Sequence, residues 1–472
     1  MSLDLQGYGA RHGHDDRCGV GFKNFAAVDL GDARRTRRLI ASAAQIAAMP
    51  QRTFNTIFNW NDLRGFYNLC DAKTATVDAL QHTHRQLTRQ AMGEHAVVLV
   101  LHDTSEIDLT SHAALTDIGP IGDGRGRGIL QHNSLAIVPG SRHVLGLAHH
   151  QLRMRRPAPQ NETSGQRKKR ERESVLWTNG ITAIGRPPEG VRWVDVADAA
   201  ADDYEAMRAS ANAGHDFLLR VSQNRQVWTD AARTQSPHML DLARTLGHLD
   251  ADTVSIPARG GRAGREAVVH LASARVWIPA PTQAKDRVGQ PVIAAWVIRV
   301  WEPNPPAGVD ALEWVLVTSV ASETPEELKA RRDWYACRWM VETYHDVEKN
   351  GCGLEDRRFE TAARMMACLA ILSVVAVRVF QLRTALDHEP AAKAETVATV
   401  EEVQVLGESL GEPVKTVTDF VRGVARLGGF LGRKHDGDPG VETLWRGYHR
   451  LQDFIIGYRC RAKLSRKNVG NR

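Results

Sequence analysis

The stretch Trp334-Tyr335-Ala336-Cys337-Arg338-Trp339-Met340-Val341-Glu342, followed further on by Lys349, decides how the rest of the chain is read. On an α-helix turning about 100° per residue, Arg338, Glu342 and Lys349 fall at about 300°, 340° and 320° from Tyr335, within roughly 60° of arc. A phenol, a guanidinium, a carboxylate and an ammonium in one stripe make a poor core face, because buried charges need partners. The same stripe suits a divalent cation and the phosphates it acts on, and it predicts phosphoryl transfer on nucleic acid. One long helix is expected, opening near Pro325 and stopping at Asn350-Gly351.

Upstream, Ala96-Val97-Val98-Leu99-Val100-Leu101-His102 is a continuous apolar, β-branched run that reads as a buried central strand, with Asp103 at its end. Residues 129–138 and 144–148 read as neighbouring strands joined at Pro139-Gly140. Val191-Arg192-Trp193-Val194-Asp195-Val196-Ala197 is a further strand ending at Asp198; a helix over residues 199–210 and a strand over residues 217–222 follow. Strand, carboxylate, helix in repetition predicts an α/β core with its site at strand C-terminal ends. Between Arg225 and Trp301, short alternating runs at residues 253–256, 267–272, 274–278 and 292–300 predict an inserted antiparallel sheet. Residues 314–319 return to a buried strand, and residues 362–383 form a strongly apolar helix.

Asp103, Asp198 and Glu342 are therefore the candidate triad. Their hard oxygens suit Mg²⁺ or Mn²⁺, and two such ions about 4 Å apart support an in-line displacement at phosphorus. Arg338 would hold a phosphate as a fork and Lys349 as a point charge; Tyr335 would hydrogen-bond a phosphate or orient Glu342. Taken alone, an Asp at a strand end is more often a turn or cap residue; the helix block shifts that balance. Trp314 is a core tryptophan by default and, beside a DNA site, a platform for an unpaired base. A Ser105–His102 nucleophile is disfavoured, since no elbow glycines flank the serine. The glycine-rich run from Gly122 to Gly128 lacks the Lys-Ser/Thr ending of a phosphate loop.

Near the N-terminus, Asp32 is placed to cap an amphipathic helix that carries Arg34, Arg35, Arg37 and Arg38 on its polar side. Further helices are expected at residues 60–69 and 76–90. A run of arginines is usually only a solvated face; ahead of a nuclease-like core, phosphate contacts are favoured. A second basic cluster, Arg167-Lys168-Lys169-Arg170, sits within residues 153–173. Residues 1–24, with His12 and His14, read as a loose arm.

The 472 residues, 43% hydrophobic and 25% charged, match a soluble globular chain of several domains. Net charge is +6, with the excess clustered, which suits a polyanion. No uninterrupted run of about 18 apolar residues is present, so no membrane span is expected, and the first residues lack a signal-peptide pattern. Six scattered cysteines (Cys18, Cys70, Cys337, Cys352, Cys368 and Cys460) form no Cys-x-x-Cys pair and read as reduced thiols.

The Tyr-x2-Arg-x3-Glu-x6-Lys pattern at Tyr335, Arg338, Glu342 and Lys349 resembles the signature of bacterial cut-and-paste transposases of the insertion-sequence-four group. Other segments resemble the family co-linearly: residues 30–39, His102-Asp103-Thr104-Ser105, Glu173-Ser174-Val175-Leu176-Trp177, Trp314-Val315-Leu316-Val317-Thr318, residues 375–383, Ala425-Arg426-Leu427-Gly428-Gly429-Phe430 and Leu444-Trp445-Arg446-Gly447. One departure stands out: the family's Asp-Arg-Glu-Ala-Asp reads Asp198-Ala199-Ala200-Ala201-Asp202 here.

The resemblance implies a ribonuclease-H-like mixed-sheet core (residues 91–383, with a β-sheet insertion at 224–310). It implies a helical domain at residues 25–90 that binds double-stranded transposon ends, their terminal inverted repeats, and a helical dimerisation region at residues 384–472. It also implies two Mg²⁺ ions per site, a homodimeric synaptic complex, hairpin formation and opening, strand transfer into target DNA, and work at the nucleoid in bacterial cytoplasm with no membrane partner. Trp314 would take up the flipped base of the hairpin. Two other readings compete: a homologue that binds DNA without cutting, and a structure-specific nuclease with the same core.

Overall fold

The computed structural model describes residues 24–156, 161–163, 172–230, 232–256, 264–281, 292–433 and 436–469, with side chains of the last helix described to Arg461. The expected arm (all but Asn24), with His12, His14 and Cys18, and the centre of the second basic cluster, Arg167 to Arg170, lie outside the described residues.

The apolar run before Asp103 forms β1 (Val97–Asp108), the middle of a ten-stranded sheet. With β2 (Gly119–Ile121), β3 (Gly126–Ile137), β4 (Val144–Arg153), β5 (Arg192–Ala197), β6 (Asp216–Arg220), β7 (Asp250–Ile256), β8 (Arg265–Ile278), β9 (Ile293–Trp301) and β10 (Glu313–Thr318), the order is β2-β3-β1-β5-β6-β10-β9-β8-β7, and β4 also pairs β3. β1, β5 and β6 run parallel; the other pairings are antiparallel.

Three strand expectations are corrected. β1 does not end at Asp103: it continues to Asp108, because β3 goes on pairing with it as far as Gly128. What ends there is its parallel partner, since the last β1–β5 pair is His102 with Ala197. Residues 267–272 and 274–278 are one strand, Ser273 being paired with Ile298 inside an unbroken β8–β9 ladder. The inserted strands are not a separate sheet, because β9 pairs with β10 and β10 with β6.

Among the described residues, helices α1 (Ala33–Ala48), α2 (Phe54–Ile57), α3 (Trp60–Cys70) and α4 (Val77–Met92) precede β1. Asp32 caps α1 by accepting from the Arg34 amide at 2.8 Å, and Leu39, Ile40, Ala43, Ile46 and Ala47 are its buried stripe. α5 (Val175–Ile184), α6 (Tyr204–Ala213) and α7 (Met239–Thr245) accompany the sheet, and α8 (Pro325–Ala336) and α9 (Trp339–Asp346) follow β10. The helix expected over residues 199–210 is instead a 3₁₀ turn, Ala199–Ala201, then α6, which Asp203 caps through its side chain.

α10 (Ala362–His388) runs through the centre, its apolar residues in one continuous core with those of α1, α3, β1 and α9. Contrary to the expectation from uninterrupted runs, this helix is long and apolar enough to cross a membrane (27 residues, mean hydropathy 2.1); 83% of that window is buried inside the protein. A satellite core joins the end of α10 to α11 (Val400–Leu410), α12 (Val417–Leu427) and α13 (Val441–Val469). α12 and α13 meet at backbone distance: a Cβ on Gly447 would run into the Val424 carbonyl. Backbone cannot give way as a flexible side chain does, so Gly447→Ala is expected to destabilise this unit by about 1–3 kcal/mol. Urea unfolding at an unchanged midpoint would refute that close approach.

Candidate active site

The β1–β5 register builds the site. Leu101 pairs Val196 and His102 pairs Ala197, so Asp103 and Asp198 stand one step beyond the last pair, on the same face of adjacent strands. Asp198 leaves the ladder to begin the 3₁₀ turn and accepts from the Ala200 amide at 2.9 Å. It is thus a cap residue as well as a candidate site residue.

Burial raises the Asp103 pKa to about 7, the charges of Asp198 and Glu342 adding to it, against the opposing Thr104 amide and Arg338. A buried carboxylate that feels two further carboxylates at a strand end is a negative focus suited to a cation. Among the described residues no three His, Cys, Asp or Glu side chains are grouped closely enough to hold an ion as they stand. One reason is visible: Glu342 is paired with Arg338 at 2.7 Å. The donor set fits a hard divalent cation once Glu342 turns from that arginine.

Arg338 is the hub on the helix side. Its side chain is 9% exposed, its charge is felt by Asp103 and by Tyr335, and its Nε is buried without an acceptor. Burial pushes the Tyr335 phenol up, with Arg338 and Arg220 acting in the opposite sense. Trp314, half-buried at the start of β10, meets the Tyr335 ring edge-on at 5.3 Å.

The single long helix expected here is not observed. α8 ends at Ala336, the Arg338 amide bonds back to Tyr335 O and that of Met340 to Cys337 O, and α9 restarts at Trp339. These three-residue bonds tighten the turn at Cys337-Arg338. Beyond Asp346 the chain widens into a π-turn, Val347–Gly351, closed by the Cys352 amide on Val347 O. Lys349 is committed further along β1, donating to Glu106 O at 2.6 Å and standing 3.8 Å from Glu355. Glu348 is fully buried among Gln131, Asn133, Tyr344 and Ser373; burial raises its pKa to about 7.

Some residues beside the site went unread in the sequence. His345 brings Nδ1 to 3.8 Å from Asp103, its Nε2 is buried without a partner, and burial depresses its pKa to about 3. Its position one turn after Glu342 was the available signal. Arg220 ends β6 near Tyr335. On the opposite sheet face His102 meets Ser134 Oγ at 3.0 Å and Asp195 at 3.0 Å, and Asp195 also accepts from Ser210 at 2.7 Å and from His215. Being fully buried, Ser134, His102 and Asp195 have no access to substrate despite their order.

The N-terminal arginines divide. Arg34 is exposed beside Asp32 and Arg37 is exposed on the same helix. Arg35 reaches Leu30 O at 3.2 Å, and Arg38 is paired with Asp62, tying α1 to α3.

Three family models match the chain in order: "Transposase DNA-binding" over residues 22–74, "Transposase DDE domain" over residues 194–377 and "Transposase Tn5 dimerisation domain" over residues 374–468. Among solved structures, the chain is similar to the cryo-EM structure of a piggyBac transposase synaptic complex with hairpin DNA. Identity is 10%, the match covers 97% of this chain and 83% of that one, and the TM-score is 0.37, too loose to bear on the fold.

Proposed function

This chain is a DNA transposase assembled from a DNA-binding, a DDE and a Tn5-type dimerisation domain, and from that premise we propose that it moves DNA by a cut-and-paste route with hairpin ends. The observation that supports the reading is that the buried Asp103 feels the charges of both Asp198 and Glu342, beside a buried guanidinium. Among related enzymes, we take it to be similar to the transposase of the composite kanamycin-resistance transposon.

In this reading Asp103, Asp198 and Glu342 hold two Mg²⁺ ions, with Mn²⁺ able to substitute. When bound, the ions polarise the attacking oxygen and neutralise the leaving one. Arg338 exchanges Glu342 for a non-bridging phosphate oxygen, using its free Nε–H as part of a fork. That exchange releases Glu342 toward the two aspartates, so the third carboxylate joins the Asp103–Asp198 pair only where a phosphate is in place. The Tyr335 phenol stands close enough to feel the Arg338 charge and would help keep that guanidinium in place. In the first step water attacks phosphorus in line, gives up a proton, and the 3′-oxygen departs as a hydroxyl; that hydroxyl then attacks a phosphorus of the opposite strand, whose bond to the flanking 3′-oxygen breaks, closing the hairpin and leaving a 3′-hydroxyl on the flanking DNA. The active species is a homodimer holding two transposon ends and then target DNA, at work on the nucleoid of a bacterial cytoplasm.

The test is incubation of the full-length protein and Mg²⁺ with DNA bearing its native flanking ends and with the same DNA after the ends are scrambled. Nicks at the end boundary in the first substrate alone support the proposal; equal cutting of both points to a structure-specific nuclease.

Trp314→Ala is expected to lower hairpin formation about tenfold, near the loss of one base-stacking contact of about 1–3 kcal/mol, while first-strand nicking persists. Equal loss of both steps, read on denaturing gels, would return Trp314 to a purely structural place against Tyr335. Arg34→Ala combined with Arg35→Ala is expected to flatten the salt dependence of end binding, each lost phosphate contact lowering the slope by about 1. A slope that stays put across a salt titration removes both from the interface.

A further inference from the structure

We propose that His102 and Asp195 are positioning residues for the two strand carboxylates: the ladder Ser134–His102–Asp195, laid across β3, β1 and β5 on the sheet face opposite Asp103 and Asp198, fixes how far β1 and β5 slide past one another. The inference rests on the reading of those carboxylates as the metal-holding pair.

The placement carries the argument. Ser134 pairs directly with His102, and Asp195 lies one same-face step behind His102's partner Ala197, so the three side chains share one row. By strand alternation Asp103 and Asp198 occupy the other face, each one residue beyond that row's end. Behind it the same face is apolar, with Val98 and Val100 on β1 and Ala136 on β3 fully buried; ahead of it Thr104 pairs the buried His132, whose ring stacks on His102 at 5.7 Å. The backbone ladder chooses which residues pair, but the apolar packing behind is non-directional and leaves a slip of a fraction of an ångström. Hydrogen bonds do not, because they weaken quickly with distance and angle.

A polar row is costly to bury, yet here its acceptors are met. Asp195 accepts from His102 at 3.0 Å, from Ser210 at 2.7 Å and from His215 Nδ1 at 3.0 Å, and His215 Nε2 donates to Gly185 O at 2.7 Å. Buried charged networks are weak sources of net stability and are better understood as devices that select one register. What register controls at this end of β1 and β5 is the spacing of Asp103 from Asp198, and Mg²⁺ demands near-ideal geometry of its ligands.

The test measures Mn²⁺ binding to the full-length, DNA-free protein by electron paramagnetic resonance, alongside the thermal midpoint, at a temperature well below unfolding. His102→Leu breaks the ladder and leaves Asp195 with Ser210 and His215; His102→Gln retains a donor toward Asp195. Ser134→Ala serves as a milder break if His102→Leu does not fold. The expected result is a loss of about tenfold in Mn²⁺ affinity for His102→Leu, the size seen when a supporting residue behind a metal ligand is removed, with recovery in His102→Gln. Wild-type affinity in His102→Leu or, where that variant does not fold, in Ser134→Ala overturns the inference, and so does an equal loss in Leu and Gln variants that tracks the thermal midpoint. Asp103→Asn separates this from the underlying reading: if it too binds Mn²⁺ like the wild type, the carboxylate pair is not the metal site and the inference falls with it.

Discussion

Glu342→Ala is expected to lower nicking of end-bearing DNA in Mg²⁺ by at least about 10²-fold, the order of loss when one charged contributor to a transition state is removed, with end binding unchanged. The carboxylate is 34% exposed on α9, but its partner Arg338, one turn earlier, is buried, so the thermal midpoint is read beside the activity to separate lost chemistry from lost fold. The loss also leaves Arg338 without its anion, which favours phosphate and guards against a binding defect. Cleavage should therefore fail on DNA that is still held, a result separable by running gel-shift and nicking assays on one preparation. Cutting at the wild-type rate would take Glu342 out of the chemistry.

Asp195→Asn should have the largest effect on stability. Both ring nitrogens of His215 face acceptors, Asp195 on one side and Gly185 O on the other, so the ring is an imidazolium. Burial works against that charge, but Asp195 outweighs it and the His215 pKa is raised; burial likewise opposes the Asp195 carboxylate, and the two histidines hold its pKa well below the usual range. Their side chains are 0% and 2% exposed. Removing the anion strands a buried cation, at a cost of about 3–5 kcal/mol. The pH slopes of wild type and variant should differ, because the His215 share reverses sign while the other buried histidines and carboxylates act alike in both. In the wild type, His215 contributes stability fully below its unfolded value of about 6.5, and this is lost as pH rises through the folded value. The carboxylate's share is present above about 3.9 and is lost as pH falls through its folded value. In Asp195→Asn the unfolded chain binds the His215 proton more readily than the folded one, so stability rises with pH through about 6.5. Parallel slopes in urea melts from pH 5 to 8 would refute the ion pair.

Much of the site was legible because its residues follow simple periods. The unbroken apolar run ahead of Asp103 and the strand ahead of Asp198 announce adjacent buried strands, and the spacing of Tyr335, Arg338 and Glu342 survives the break at Cys337-Arg338. The break itself was not legible. Nothing in Ala336-Cys337-Arg338 is a helix breaker, and the tightening shows only in which carbonyl each amide chooses. The extension of β1 past Asp103 was hidden for a related reason: Thr104, Ser105 and Glu106 look like a turn until β3 supplies a partner. His345, Arg220 and the Asp195 network stayed unread because their partners are distant in sequence. The joining of insertion and core into one sheet depends on β10 pairing on both edges, which no local pattern encodes.

α10 carries a wider consequence. Its 27 residues pack against the N-terminal helices, the sheet and the C-terminal helices alike. A shortened product that begins after α4 would bare one flank of this greasy rod to water, and one that stops before it would unroof the sheet. Halves of this protein should therefore clump when made separately and recover only when produced together, which limits how the gene can be cut into working pieces.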